Sequence, residues 1–212
     1  MKVTIMGPPG GGKGTQAERL SEILKIPHIS TGAIIRSAIR EKTPLGILAE
    51  SYIEKGQLVP DEVAIDMVMQ RVKEADCENG YILDGFPRTL PQARSMDETG
   101  LKIDFALNLL VEDDEIVNRL TGRRECKVCA APYHVVNNPP EEDGVCDRCG
   151  GELITRADDV PDTIRERLSV YHSQTEPLID FYSEKGLLVN VAGCETIEDT
   201  TNAILEALGV KE

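Results

Sequence analysis

The sequence has no tryptophan, and aromatic residues make up only 4% of its 212 residues. With so few rings available, Val, Ile and Leu must do most of the packing. The hydrophobic share of 41% suffices for a sizeable core and excludes wholesale disorder. Positive charge is also scarce: 23 Lys and Arg against 37 Asp and Glu leave a net charge of −14. Such a surface cannot release counterions from a duplex as a basic face does, so no nucleic-acid partner is expected. No apolar run approaches the roughly 18 residues of a membrane span. The segment Met1–Met6 runs straight into glycines, with neither a long apolar stretch nor a small-residue cleavage site. It therefore does not read as a secretory signal, and a cytoplasmic location is expected.

Strand and helix patterns alternate along the chain. Short apolar runs at Lys2–Met6, His28–Ile29, Tyr81–Leu83, Phe105–Val111 and Leu187–Val191 read as five strands. Helical periodicity is expected over Lys13–Leu24, where Ala17, Leu20, Ile23 and Leu24 share a face, and over Thr31–Arg40 with Thr31 as N-cap. Further helices are expected over Leu45–Lys55, with Leu45, Leu48, Ala49, Tyr52 and Ile53 on one face, and from Pro60–Asp61 to Glu74. The rest are Leu90–Glu98, Asp113–Leu120, Asp162–Glu184 with a break at Pro177, and Ile197–Leu208. Five strands alternating with helices predict an α/β fold, a five-stranded parallel sheet covered on both faces. The stretch from Gly122 to Asp159 interrupts the alternation with turn residues, prolines and cysteines, and reads as a small insertion.

The strongest motif is Gly7-Pro8-Pro9-Gly10-Gly11-Gly12-Lys13-Gly14-Thr15, which follows a strand and opens a helix. Glycines let backbone N–H groups turn onto an anion, the helix N-terminus adds partial positive charge, and Lys13 supplies a full one. Gly10 to Thr15 are thus candidate phosphate ligands. Gly14 stands where phosphate-binding loops usually carry Ser or Thr, so a direct hydroxyl ligand to Mg²⁺ is missing there. Cys126-x-x-Cys129 and Cys146-x-x-Cys149 lie sixteen residues apart, the spacing of a tetrahedral zinc site. Four thiolates leave no open coordination position, which makes the metal structural rather than catalytic. Cys77 and Cys194 read as buried small apolar groups.

Further motifs are Ser30-Thr31-Gly32, Leu58-Val59-Pro60-Asp61-Glu62, Asp84-Gly85-Phe86-Pro87-Arg88-Thr89, Gly122-Arg123-Arg124, Arg156-Ala157-Asp158-Asp159 and Arg165-Glu166-Arg167-Leu168. With the glycine loop and the cysteine pairs, they make the chain resemble the adenylate kinases, in their long-lid, zinc-bearing bacterial form, almost end to end. The resemblance implies a P-loop nucleotide kinase fold with a core of residues 1–29, 60–121 and 160–212. It also implies an insert at 30–59 over AMP and a lid at 122–159 over ATP. The implied reaction is MgATP + AMP ⇌ 2 ADP, by a monomer with Mg²⁺ and structural Zn²⁺. Lys13, Arg88, Arg123, Arg156 and Arg167 would be catalytic. Gly10 to Thr15, Arg123 and Glu195 would bind ATP. Thr31, Arg36, Gln57, Leu58, Val59, Gly85, Phe86, Pro87, Arg88, Gln92, Arg156 and Arg167 would bind AMP. Asp84, ending a strand beside the loop, suits Mg²⁺ held through water. The pattern departs at Ala33, where Thr-Gly is usually followed by Asp.

Plainer readings stand beside these. Arg36 and Arg40 on one helix fit a solvated face, and Arg156 with Asp158 and Asp159 fits a surface ion-pair cluster. Thr31 fits an N-cap, and Thr89-x-x-Gln92 a capping box. His134 fits packing or hydrogen bonding within the insertion. Motifs alone also leave room for GTP as donor or another monophosphate as acceptor. Of other classes, a P-loop ATPase switch and a zinc-knuckle nucleic-acid binder compete, the latter opposed by the charge and by Glu141-Glu142-Asp143.

Overall fold

The computed structural model describes residues 1–194 and 196–210. Five strands form one parallel sheet: β1 (Lys2–Met6), β2 (His28–Ser30), β3 (Tyr81–Asp84), β4 (Phe105–Leu110) and β8 (Leu188–Ala192). Their order is β2-β3-β1-β4-β8. Ile5 stands opposite Asp84 on one side and Leu107 on the other, so Gly7, Asp84 and Asn108 all reach the carboxyl edge of the sheet. In such open sheets the ligand crevice lies outside that edge.

Helices cover both faces. They are α1 (Lys13–Leu24), α2 (Thr31–Arg40), α3 (Pro44–Ile53), α4 (Asp61–Arg71), α5 (Leu90–Thr99), α6 (Asp113–Gly122), α7 (Pro161–Val170), α8 (Leu178–Glu184) and α9 (Ile197–Ala207). One core gathers Val3, Ile5, Leu20, Leu107 and Ile204 beneath α1 and α9, and the other gathers Leu83, Phe86, Met96 and Tyr182 beneath α5 and α8. Strands buried on both faces explain why the five runs read as continuous apolar sequence rather than alternation.

The insertion folds as a separate antiparallel sheet, β6-β5-β7, from β5 (Arg123–Cys126), β6 (Pro132–His134) and β7 (Leu153–Ile154). Its own apolar cluster is small: Cys126, Ala131, Tyr133 and Cys146, with Leu153 against them.

Several sequence expectations need correction. Ser30, not Thr31, caps α2 by accepting from the Ala33 N–H, while Thr31 sits at the first helical position with its hydroxyl on the Gly85 carbonyl. Ser30 makes this bond to the backbone, so the cap survives the Ala33 departure. Helix α4 ends at Arg71 and a separate 3₁₀ turn covers Ala75–Cys77, short of the expected run to Glu74. The long helix expected over Asp162–Glu184 is broken earlier than Pro177, by a π turn over Tyr171–Thr175. Ile23 is exposed although it lies within α1, and Ile26, beyond the left-handed Lys25 that ends the helix, enters the core. Leu48 is exposed because α3 meets α2 through Gly46 and Ala49. Cys77 is buried, but Cys194 is exposed.

Candidate active site

The glycine loop connects β1 to α1. Gly10 and Gly12 take φ of 77° and 87°, values a side chain resists, and this curls the loop ahead of the α1 N-terminus. Lys13 folds back over the loop, its Nζ donating to the carbonyls of Gly7 at 2.7 Å and Pro8 at 2.6 Å. Burial lowers its pKa to about 7; Asp84 opposes the shift, and Arg88, Arg167 and Arg123 reinforce it. The Asp84 carboxylate lies 3.5 Å from where a Cβ at Gly14 would stand, so it is the acidic group facing the loop. Burial raises its pKa, but the hydrogen bond from His28 at 3.2 Å and the charges of His28, Lys13 and Arg88 outweigh that and leave it below the ordinary range.

The strand end after Asp84 sets the next group. Arg88 donates from Nε to the Gly85 carbonyl at 2.8 Å, lying against a glycine that leaves it room. Phe86 is buried, and the Thr4 hydroxyl donates to its carbonyl. The Thr89–Gln92 expectation holds with a shift. Thr89 accepts from the Gln92 N–H, while the Gln92 side-chain oxygen accepts from Arg88 N–H and its amide donates to Asp61 at 2.7 Å. Gln57, Leu58 and Val59 line an open cleft of about 320 Å³ with Tyr52, Val170 and Gln174.

Three arginines come from the insertion and from α7. Arg123 makes a bidentate pair with Asp159 at 2.8 and 2.5 Å. Arg167 bonds Asp159 at 3.0 Å and Asp158 at 2.8 Å. Arg156 pairs with Glu125, which also lies 3.6 Å from Arg36. Asp158, Asp159 and Glu125 are 8, 4 and 4% exposed, so this is no surface ion-pair cluster. Burial, then Arg123 and Arg36, lowers the Arg156 pKa to about 10, and burial lowers those of Arg88 and Arg167. Arg88, Arg123 and Arg167 thus surround Lys13 at the loop, Arg36 and Arg156 meet at Glu125, and the buried carboxylates Glu125, Asp158 and Asp159 lie among these cations. Such a crowd of cations suits a polyanion with several phosphates.

Glu195 lies outside the described residues. The sequence reading missed Glu125, although Arg123 and Glu125 alternate on β5 and must share a face. It also missed Arg119, whose guanidinium reaches within 4 Å of the Cβ positions of Gly12 and Gly193 at the cleft rim. His134 is a hydrogen-bonding residue: its Nδ1 accepts from the Val136 and Asn137 N–H groups, while Nε2 is buried without a partner among the described residues.

The four cysteine sulfurs lie within 4.8 Å of one another. The two turns match: the carbonyls of Cys126 and Cys146 accept from the N–H groups of Ala130 at 2.9 Å and Gly150 at 2.8 Å, and both donor residues are left-handed, with φ of 60° and 70°. Val128 and Cys129 N–H groups point at the Cys126 sulfur. Cross-pair S···S distances of 3.5 and 3.6 Å approach the ~3.8 Å expected for sulfurs arranged tetrahedrally about zinc. The donor set and its geometry fit that metal.

Residues 5–187 match the model of the adenylate kinase family. The chain is 53% identical to an adenylate kinase of Caldicellulosiruptor bescii over all of both chains. It is 52% identical to an adenylate kinase of Bacillus subtilis, over 99% of this chain and 98% of that one.

Proposed function

This chain belongs to the adenylate kinase family and moves a phosphoryl group from ATP to AMP to give two ADP; on that premise we propose how its residues divide the work. The core is residues 1–29, 60–121 and 160–212, with an acceptor-side insert at 30–59 and a lid at 122–159. Backbone N–H groups of Gly10 to Thr15 and the Lys13 ammonium hold the donor phosphates, with Arg123 closing from the lid. Glu195 belongs to the donor side by resemblance alone. Arg119 stands beside Gly12 and Gly193, at the rim where the donor nucleotide enters.

Thr31, Arg36, Gln57 to Val59, Gly85 to Arg88 and Gln92 form the acceptor side. The Gln92 amide is already engaged by Arg88 and Asp61, which supports reading it as a fixed wall of that side. Arg156 and Arg167 lie between the two sides, where negative charge accumulates as the phosphoryl group passes. No protein nucleophile is needed: both nucleotides are held in line, the cations stabilise the transferring group, and the lid excludes water. Adenylate kinases use Mg²⁺ with ATP; bound there, it neutralises phosphate charge, and Asp84 is the carboxylate placed to hold it through water. The cysteines hold a structural Zn²⁺ that fixes the lid strands. The protein acts as a cytoplasmic monomer without nucleic-acid or membrane partners; no helix among the described residues is long and apolar enough to cross a bilayer.

The observation that carries this division is the gathering of Arg88, Arg123 and Arg167 around Lys13 of the glycine loop, with Arg36 and Arg156 meeting at Glu125 beside them. The test is ADP formation from MgATP with each nucleoside monophosphate in turn, beside a no-acceptor control. Rapid ADP formation with AMP and little without it is expected. A preference for another monophosphate would overturn the acceptor-side assignment, and phosphate release without any acceptor would overturn the role given to the lid.

A further inference from the structure

Glu125 is a carboxylate that no part of the reaction requires, yet it is buried in the middle of the phosphate clamp. It sits on the central strand of the lid sheet, paired with Pro132 on one side and Ile154 on the other, so its place is set by backbone on both flanks. One carboxylate oxygen receives the Arg156 guanidinium, and the other faces the Arg36 Nε at 3.6 Å. Arg156 belongs to the lid and Arg36 to helix α2. Among the described residues, this is the one ion pair that joins α2 or α3 to the lid strands.

Two partly buried arginines brought together repel each other, the more so as burial weakens solvent screening. A carboxylate between them removes that repulsion before substrate arrives. It does so without consuming the clamp, because it binds Arg156 through Nη2 and leaves the buried Nε without a partner among the described residues. An orphaned guanidinium N–H is costly alone and is satisfied by an arriving phosphate oxygen.

We propose that Glu125 is a positioning residue that presents Arg156 and Arg36 to the acceptor phosphate and couples lid closure to the acceptor-side insert. The inference rests on the proposed acceptor-side placement of Arg36. Substituting Glu125→Gln keeps the size and removes the charge. The KM for AMP is expected to rise about tenfold, while the KM for MgATP and the metal content stay close to those of the unaltered protein.

Arg36→Gln, alone and combined with Glu125→Gln, completes a cycle. If Glu125 acts through Arg36, much of its effect on the AMP KM disappears in the Arg36→Gln background. Fully additive effects, an unchanged AMP KM, or equal rises in both KM values would overturn the proposal. If Arg36→Gln alone leaves the AMP KM unchanged, the acceptor-side placement fails instead. Should Glu125→Gln lose its metal, Glu125→Asp serves in its place: it keeps the charge but shortens the reach to Arg36. The same selective loss for AMP supports the proposal, and equal effects on both nucleotides overturn it.

Discussion

At the residue scale, Lys13 shows how burial and function meet. Its pKa of about 7, against an ordinary 10.5, reflects burial first and the surrounding arginines after it. The unfolded chain binds more protons than the folded one between these two values. This residue's penalty is therefore fully present below about pH 7 and fades as pH rises toward 10.5. In the empty enzyme near pH 8, Lys13 is mostly neutral, and a triphosphate set against it restores the proton. ATP binding should then take up close to one proton near pH 8 and almost none near pH 6. Calorimetric titrations in buffers of different ionisation enthalpy read this directly. Equal uptake at both pH values would contradict it, and Lys13→Met should abolish the difference. The loop residues were legible in the sequence because a phosphate cradle is built from neighbours. The carboxylates that balance the arginines were not. Asp159 reaches Arg123 across 36 positions, and Glu125 reaches Arg156 across 31, distances that no local pattern encodes.

At the element scale, glycine spacing explains what periodicity misread. Helices α2 and α3 form a tight hairpin in which Gly46 presses on the last turn of α2. A Cβ there would stand 2.0 Å from the Ala38 carbonyl oxygen, which already accepts from the Thr43 N–H. This approach decides which side of α3 faces inward, so Gly46 and Ala49 are buried while Ile47 and Leu48 are exposed. The apolar count favoured the leucine face, and backbone contact won. Gly46→Ala should gain about 1 kcal/mol in helix propensity but lose about 3 kcal/mol to overpacking against backbone that cannot yield. A net loss of about 2 kcal/mol in denaturant unfolding is expected. An unchanged midpoint would mean the hairpin is looser than this packing implies. The parallel strands, by contrast, were legible nearly residue for residue, because strands covered on both faces leave unbroken apolar runs between turn signals.

At the scale of the whole molecule, the two layers of core and the lid differ in what holds them. The main sheet is sandwiched between two large apolar clusters, whereas the apolar cluster of the lid has four buried residues and a leucine. That is too little apolar surface to offset the ordering of its strands, and two of the four are cysteines. Outside its covalent ends the lid meets the rest through few contacts, among them Arg148 of the second cysteine turn with Glu18 on α1, and Glu125 with Arg36. Exposed pairs such as the first contribute at most about 1 kcal/mol. The metal must therefore supply the order that packing does not, and its removal should be felt in the lid alone at first. Treatment with a strong chelator is expected to split thermal unfolding into an early lid transition and a later transition of the sheet, with the far-ultraviolet dichroism of the main helices preserved between them. The same treatment should raise phosphate release relative to ADP formation, since a loosened lid no longer keeps water from the transferring group. Cys146→Ser should reproduce both effects without chelator. A single, unshifted transition with the metal demonstrably gone would show that the lid holds itself together, and the role of the cysteines would have to be sought elsewhere.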